Sequence, residues 1–154
     1  MDFPVLSEAF RLGQLCPPSG KVRMVLDTDT YNEIDDQFAL VHALLSPQNM
    51  AVEAIYAAPF HNNRSINAGD GMEKSHAEIL RLLERLDVLP AGLVHRGSHE
   101  FLATEDQAIT SNAAADLVQR AMTSSEPLYV VAIGAVTNIA SALLVEPRLV
   151  EKIV

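Results

Sequence analysis

Apolar residues follow two rhythms along the chain, short continuous runs alternating with stretches spaced three and four apart. The run Val22 to Leu26 reads as a buried strand, entered after Pro17, Pro18 and Gly20 stop a short helix over residues 5 to 15. Asn32 is placed to cap a mostly buried helix from Ile34 to Ser46, apolar at Ile34, Phe38, Val41, Leu44 and Leu45 and ended by Pro47. Val52 to Ala58 is a second strand. A loop rich in Asn and Gly leads to an amphipathic helix from Met72 to Leu86, with Ile79, Leu82, Leu83 and Leu86 in register. Leu93 to His95 is a short third strand, followed by a polar loop and a helix over Ser111 to Thr123. Strand Leu128 to Ile133, a turn at Gly134 and helical segments from Asn138 onward complete the pattern.

Strands alternating with helices predict an α/β fold, a mainly parallel sheet joined by right-handed crossovers with helices on both faces. One domain over residues 1–154 accounts for the pattern, with 1–20 as an N-terminal extension. Ligands in such sheets sit beyond the carboxyl ends of the strands. That rule directs attention to the loops Asp27 to Glu33, Pro59 to Asp70, Arg96 to Thr110 and Gly134 to Thr137.

Composition narrows the chemistry. The 154 residues are 49% apolar and 20% charged, the profile of a folded chain, and a net charge of -9 opposes nucleic acid and anionic membrane as partners. A single cysteine, Cys16, leaves no intrachain disulfide and no cysteine zinc cage, which fits a reducing compartment. The early charges Asp2, Glu8 and Arg11 interrupt any signal-peptide pattern, so a cytoplasmic location is expected. The longest smoothly apolar segment, Leu128 to Val136, falls short of the ~20 residues a membrane helix needs.

Against that background Asp27, Asp29, Asp35 and Asp36 crowd between a strand end and the first turn of a helix. Like charges a few ångströms apart raise one another's pKa, so the cluster calls for a cation, protons or outward-facing side chains. Oxygen ligands without cysteine favour calcium or magnesium over zinc, and calcium tolerates the irregular geometry of a loop. A purely structural arrangement stands beside it, with Asp35 and Asp36 complementing the helix dipole and Asp27 and Asp29 capping turns. A phosphate cradle is excluded because the loop has neither glycine nor lysine. An EF-hand is excluded because Asn32 and Phe38 stand where its glycine and glutamate belong.

These residues resemble the N-terminal signature of the nucleoside hydrolases, an Asp-x-Asp at a strand end followed by a double Asp that opens a helix with Ala-Leu, here Asp27, Asp29, Asp35, Asp36, Ala39 and Leu40. A second segment, Val131 to Ala140, is similar to the family's strand-end Gly-Pro-Leu-Thr-Asn-Ile-Ala. The loop Ala58 to Asn63 falls where the family carries a sugar-binding asparagine, and the likeness spans residues 22 to 154. It implies a Rossmann-like architecture and calcium-dependent hydrolysis of the N-glycosidic bond of inosine- or uridine-like ribonucleosides, in nucleoside catabolism and salvage. Carried over, the family's roles make Asp29 a calcium ligand and the base for the attacking water, and Asp36 a second calcium ligand. Ile133 would contribute its backbone carbonyl, Asp35 and Asn62, or Asn63, would hold the ribose, and Asp27 would support the site from behind.

The chain departs from the family pattern in two ways. Thr30 to Ile34 separates the two aspartate pairs by five residues rather than three and lacks glycine, so Tyr31 or Glu33 can enter the site. The chain ends at Val154, about half the implied length, without a counterpart of the family's last calcium-binding aspartate. The expectation is therefore an incomplete active centre, completed by a complementary C-terminal half or served by a homo-oligomer. His61 is a further candidate for contacting substrate, whereas His95, Arg96 and His99 are expected to pair at the surface with Glu100 and Glu105. Two rival readings remain open: a haloacid-dehalogenase-like magnesium phosphatase using Asp27 and Asp29, and a non-catalytic half-domain.

Overall fold

A computed structural model describes residues 2–154. Four strands, β1 (Val22–Thr28), β2 (Met50–Ala57), β3 (Val94–Arg96) and β4 (Tyr129–Ala132), form one sheet in the order β3-β2-β1-β4. Every pairing is parallel, as the alternation of strands and helices predicts. The connecting helices are α2 (Ile34–Leu44), α3 (Ala68–Arg85) and α4 (Asn112–Met122), preceded by a seven-residue α1 (Glu8–Gln14) and followed by α5 (Thr137–Val145).

Because successive side chains of a strand point to opposite faces, the apolar runs fill two separate cores. Met24, Leu26, Ile55 and Ala57 meet Leu40 and Ala43 of α2 and Met72, Ile79 and Leu83 of α3 on one face. Val25, Ala54 and Tyr56 meet Ala113, Leu117 and Ala121 of α4 and Ala142 of α5 on the other. Burial on both faces explains why β1 reads as an unbroken apolar run rather than an alternating one.

Three local differences from the sequence pattern have physical causes. α3 begins at Ala68, four residues before its apolar register becomes visible, because the Asn67 side chain accepts from the Asp70 backbone N–H at 2.8 Å and caps the first turn. α2 is not mostly buried and turns a partly different face inward: Val41 and Leu44 pack against the core as expected, together with buried Asp36, Leu40 and Ala43, while Ile34 is 68% and Phe38 70% exposed. Its cap position is Glu33, without a side-chain bond, since the Asn32 amide is engaged elsewhere. Beyond α5, a 3-10 turn (Pro147–Glu151) replaces continued helix, and the last residues run beside β4, with Val154 N–H donating to Leu128 O at 3.0 Å and Val130 N–H to Val154 O at 2.9 Å. Among the described residues no helix is long and apolar enough to cross a membrane.

The chain lays down β1, β2 and β3 in one direction and then returns past β1 to place β4. The strand order therefore reverses between β1 and β4, and the carboxyl ends of the strands at such a reversal are the position at which these sheets take ligands. Asp27 and Thr28 end β1 there, with Asp29 next in the chain, and Ile133 and Gly134 follow β4.

Candidate functional site

Asp27 lies within β1, fully buried. Its Oδ2 accepts from Asn138 Nδ2 at 2.8 Å, whereas Oδ1 is buried without a hydrogen-bond partner. Burial pushes its carboxyl up to about 7, with the Asn138 bond pulling the other way and the Asp29 charge adding to the rise.

Asn138 ties several elements to that carboxylate. Its Oδ1 accepts from Ser98 N–H at 2.8 Å and lies 3.1 Å from Ser98 Oγ, while Nδ2 also reaches Ala57 O at 3.3 Å. One amide of α5 thus joins β1, β2 and the loop after β3. Gly97 makes this approach possible: a Cβ there would lie 2.1 Å from Ala57 O and 2.4 Å from Asn138 Nδ2.

The double aspartate at the start of α2 divides by helical geometry, since consecutive helical residues point roughly 100° apart. Asp36 is buried and Asp35 exposed. Thr28 Oγ1, itself buried 3.0 Å from Thr30 Oγ1, donates to Asp36 Oδ1 at 2.5 Å and draws this face of α2 onto the end of β1. Burial raises the Asp36 carboxyl to about 6 against that bond, with the charges of Asp29, Asp35 and Glu33 contributing.

Asp29 is buried beside it. Its Oδ2 accepts from Asn32 Nδ2 at 3.0 Å, and its carbonyl accepts from Asn32 N–H at 2.6 Å, closing a tight turn. Burial raises its pKa, opposed by the Asn32 bond and by its own backbone N–H. The end of β4 packs directly on this residue: a Cβ at Gly134 would lie 3.0 Å from Asp29 N and 3.1 Å from Asp29 Cγ. Ile133 N–H donates to Asp27 O at 2.9 Å, which holds Ile133 at the same strand ends.

Two residues of the Pro59–Asp70 loop reach this turn. Asn62 Nδ2 donates to Asn32 Oδ1 at 2.6 Å, and Arg64 donates from Nη1 to Tyr31 O at 3.3 Å and to Asn32 O. The longer Thr30–Ile34 loop, without glycine, is therefore held closed by side chains. Asn63 is exposed. His61 is also exposed and lines a neighbouring cleft of about 820 Å³ with Asn67, Asp70, His99, Glu100 and Phe101.

The structure thus brings Asp27, Asp29, Asp36 and Ile133 to one place and links Asn62 to it through Asn32. Asp35 stands exposed at the rim, and neither Asn63 nor His61 makes a hydrogen bond to the cluster. The surface pairing expected for the residues after β3 does not form with Glu100 or Glu105. Arg96 pairs with Glu73 at 3.0 Å, and His95 Nε2 lies 3.5 Å from Asp116, which also accepts from Tyr56 at 2.9 Å. The geometry also removes the phosphatase reading of Asp27. A nucleophile must reach its substrate, and this carboxylate is fully enclosed behind Asn138.

Among the described residues no three His, Cys, Asp or Glu side chains converge as a metal cage. What converges is an oxygen-only set of two buried carboxylates, Asp29 and Asp36, with raised pKa values, and an unpartnered oxygen on Asp27 behind them. That donor chemistry fits a hard divalent cation completing its shell with main-chain, water or ligand oxygens, and excludes a zinc-type His and Cys site. The sequence assigns no role to Asn138, Thr28 or Arg64, and to Asn32 only the cap of α2, whereas its side chain bonds Asp29 and Asn62 instead. Asn138 alone had a signal, its place in the Val131–Ala140 segment.

Comparison with known proteins agrees with the fold. The sequence profile of a family described as "Cellulose-binding Sde182, nucleoside hydrolase-like domain" matches residues 23–149. A solved plant nucleoside hydrolase, the PpNRh1 enzyme, superposes with a TM-score of 0.58 at 22% identity, over 86% of this chain and 45% of that one. The chain therefore spans less than half the length of this structural relative. No curated protein sequence matches.

Proposed function

We propose, for a chain that belongs to the nucleoside hydrolase-like domain family of cellulose-binding Sde182, that it supplies the carboxylate half of a calcium-dependent centre hydrolysing the N-glycosidic bond of ribonucleosides to ribose and free base. The observation that carries this reading is the approach of Asp29 and Asp36, both buried, at the strand ends where the sheet order reverses. Asp29, Asp36 and the Ile133 carbonyl would hold the ion. Bound there, calcium supplies a fixed positive charge that grips a sugar diol and lowers the pKa of water.

The protein's own groups then divide the work. Asp29, with its pKa raised by burial, takes the proton of the attacking water, since a base titrating nearer neutrality accepts a proton more effectively. Asp35 at the rim accepts from a ribose hydroxyl. Asn62 keeps one amide N–H and one oxygen lone pair beyond the bonds to Asn32 and Arg64, enough to hold a second hydroxyl; Asn63 next to it is the substitute. His61, exposed on the same loop, would donate to the leaving base. Buried negative charge around the ring stabilises an oxocarbenium-like transition state. Asp27 sits behind this arrangement and, through Asn138, holds the strand ends together.

A second reading, glycan binding without catalysis, is favoured by one observation beyond the family's description: among the described residues no three His, Cys, Asp or Glu side chains converge to hold an ion. Calorimetric titration of the 154-residue chain separates the two. The hydrolase reading predicts one calcium ion bound, ribose binding strengthened by calcium, and loss of both in D29N and D36N. Binding of soluble cello-oligosaccharides, indifferent to calcium and to D29N, with no calcium uptake, would replace it by the second reading.

A further inference from the structure

The loop that departs most from the family pattern is held by a chain of side-chain bonds leading to Asp29. The Asn32 amide bridges two partners, donating from Nδ2 to Asp29 Oδ2 at 3.0 Å and accepting at Oδ1 from Asn62 Nδ2 at 2.6 Å. Its orientation is fixed by this pairing, since a flipped amide would set oxygen against the Asp29 carboxylate. Asn62 is itself fastened. Its Oδ1 accepts from Arg64 N–H at 2.9 Å, its own N–H donates to Ser65 Oγ at 3.2 Å, and Ser65 Oγ donates to Phe60 O at 3.1 Å.

Arg64 closes the connection from the other side. Its guanidinium donates to the carbonyls of Tyr31 and Asn32 and lies 5.9 Å from the centre of the Tyr31 ring. Lys74, on α3, donates to Arg64 O at 2.7 Å and to Asp70 at 2.8 Å. The post on which Asn32 leans is thus anchored to a helix, whereas Asn32 itself lies in a loop.

We infer that Asn32 and Asn62 form a positioning relay, in which the loop after β2 sets the rotamer of the Asp29 carboxylate. Loss of either amide leaves Asp29 free to turn although neither asparagine need touch an ion. The significance assigned to Asp29 rests on the proposed function, but the relay stands on the bonds alone. Partners that orient a ligating carboxylate typically change metal affinity about 10–100-fold when removed.

The test uses the 154-residue chain without added metal. Three-bond carbon and nitrogen couplings to the Asp29 carboxyl carbon report its side-chain rotamer directly by NMR. The variants are Asn32→Ala, Asn62→Ala and Asn62→Asp, the last keeping the shape and the acceptor for Arg64 but not the donor to Asn32; Ile66→Ala, on the same loop and 82% exposed, is the control. The relay predicts a single Asp29 rotamer in the wild type and in the control, and averaged couplings in the other three. Averaging already in the wild type, or unchanged couplings in both Asn62 variants, overturns it. A calcium titration of the same samples, expected to weaken about 10–100-fold in Asn62→Ala, separates the two claims. Wild-type protein that ignores calcium while the couplings respond defeats the site reading and leaves the relay standing; calcium binding with unresponsive couplings does the reverse.

Discussion

Replacing Asn138 with alanine should damage the fold in a way that depends on pH. The side chain is fully buried and supplies a donor to Asp27 Oδ2 at 2.8 Å and an acceptor to Ser98 N–H at 2.8 Å. Losing a hydrogen bond to a charged group costs about 1.5–3 kcal/mol, and a buried N–H left unpartnered costs about 1–3 kcal/mol. The two overlap in one network, so a total of about 4 kcal/mol is the working figure, equivalent to a melting temperature lower by roughly 8–16 °C for a chain of this size. Burial pushes the Asp27 carboxyl up to about 7, against the pull of this bond. Below that pH it is protonated and the bond is between neutral groups; above it the bond is charge-assisted, so the deficit of the variant should grow between pH 5 and pH 8. Thermal melts followed by circular dichroism at both pH values measure it. A melting temperature within about 2 °C of the wild type at pH 8, or a deficit equal at the two pH values, would refute the assignment of Asn138 as the partner of an ionised Asp27.

Other consequences follow from the same geometry. Gly97→Ala should destabilise by several kcal/mol, because its Cβ would lie 2.1 Å from the Ala57 carbonyl, inside van der Waals contact; urea unfolding checks this. The folded pKa values of Asp27 and Asp36, about 7 and about 6, exceed the ordinary 3.8, so the folded state binds more protons than the unfolded one between pH 4 and 7. Their contribution to stability is therefore full below about pH 4 and falls as pH rises to neutrality; urea midpoints across that range should show the decline without calcium and lose much of it with calcium present. Asp36→Asn keeps an acceptor for Thr28 and removes a buried charge, so at pH 7 it should melt higher than the metal-free wild type and gain nothing from calcium, as scanning calorimetry will show. Tyr56→Phe removes one donor to the Asp116 carboxylate on the face away from Asp36 and should cost about 1.5–3 kcal/mol while leaving calcium affinity unchanged.

The elements that carry the site were legible where local pattern and burial agree. β1 is a continuous apolar run because both of its faces are covered, and Asp27 and Asp29 stand out against it as polar residues at a strand end. The position of Gly134 beside Asp29 follows from the parallel order once four strands are recognised. The face of α2 was legible only at Val41 and Leu44, which pack on the core. Ile34 and Phe38 form the more apolar stripe, yet the bond from Thr28 turns Asp36 inward and carries Leu40 and Ala43 with it. The start of α3 was hidden because Ala68-Gly69-Asp70-Gly71 has the composition of a loop, and only the Asn67 cap marks it as helix. Asn138 meets Asp27 across 111 positions of sequence and Asn62 meets Asn32 across 30. Periodicity reports which face a residue occupies on its own element, and it carries no information about partners brought together by the fold.

The central claim is that Asp29 and Asp36 share one divalent ion. Crystals of the chain grown with calcium and then exchanged into manganese, examined by anomalous diffraction at the manganese edge, test it most directly. The account predicts one dominant peak in contact with carboxylate oxygens of both residues, absent from D36N crystals treated identically. A peak bound elsewhere on the chain, or none at these strand ends with both carboxylates ordered, would contradict it.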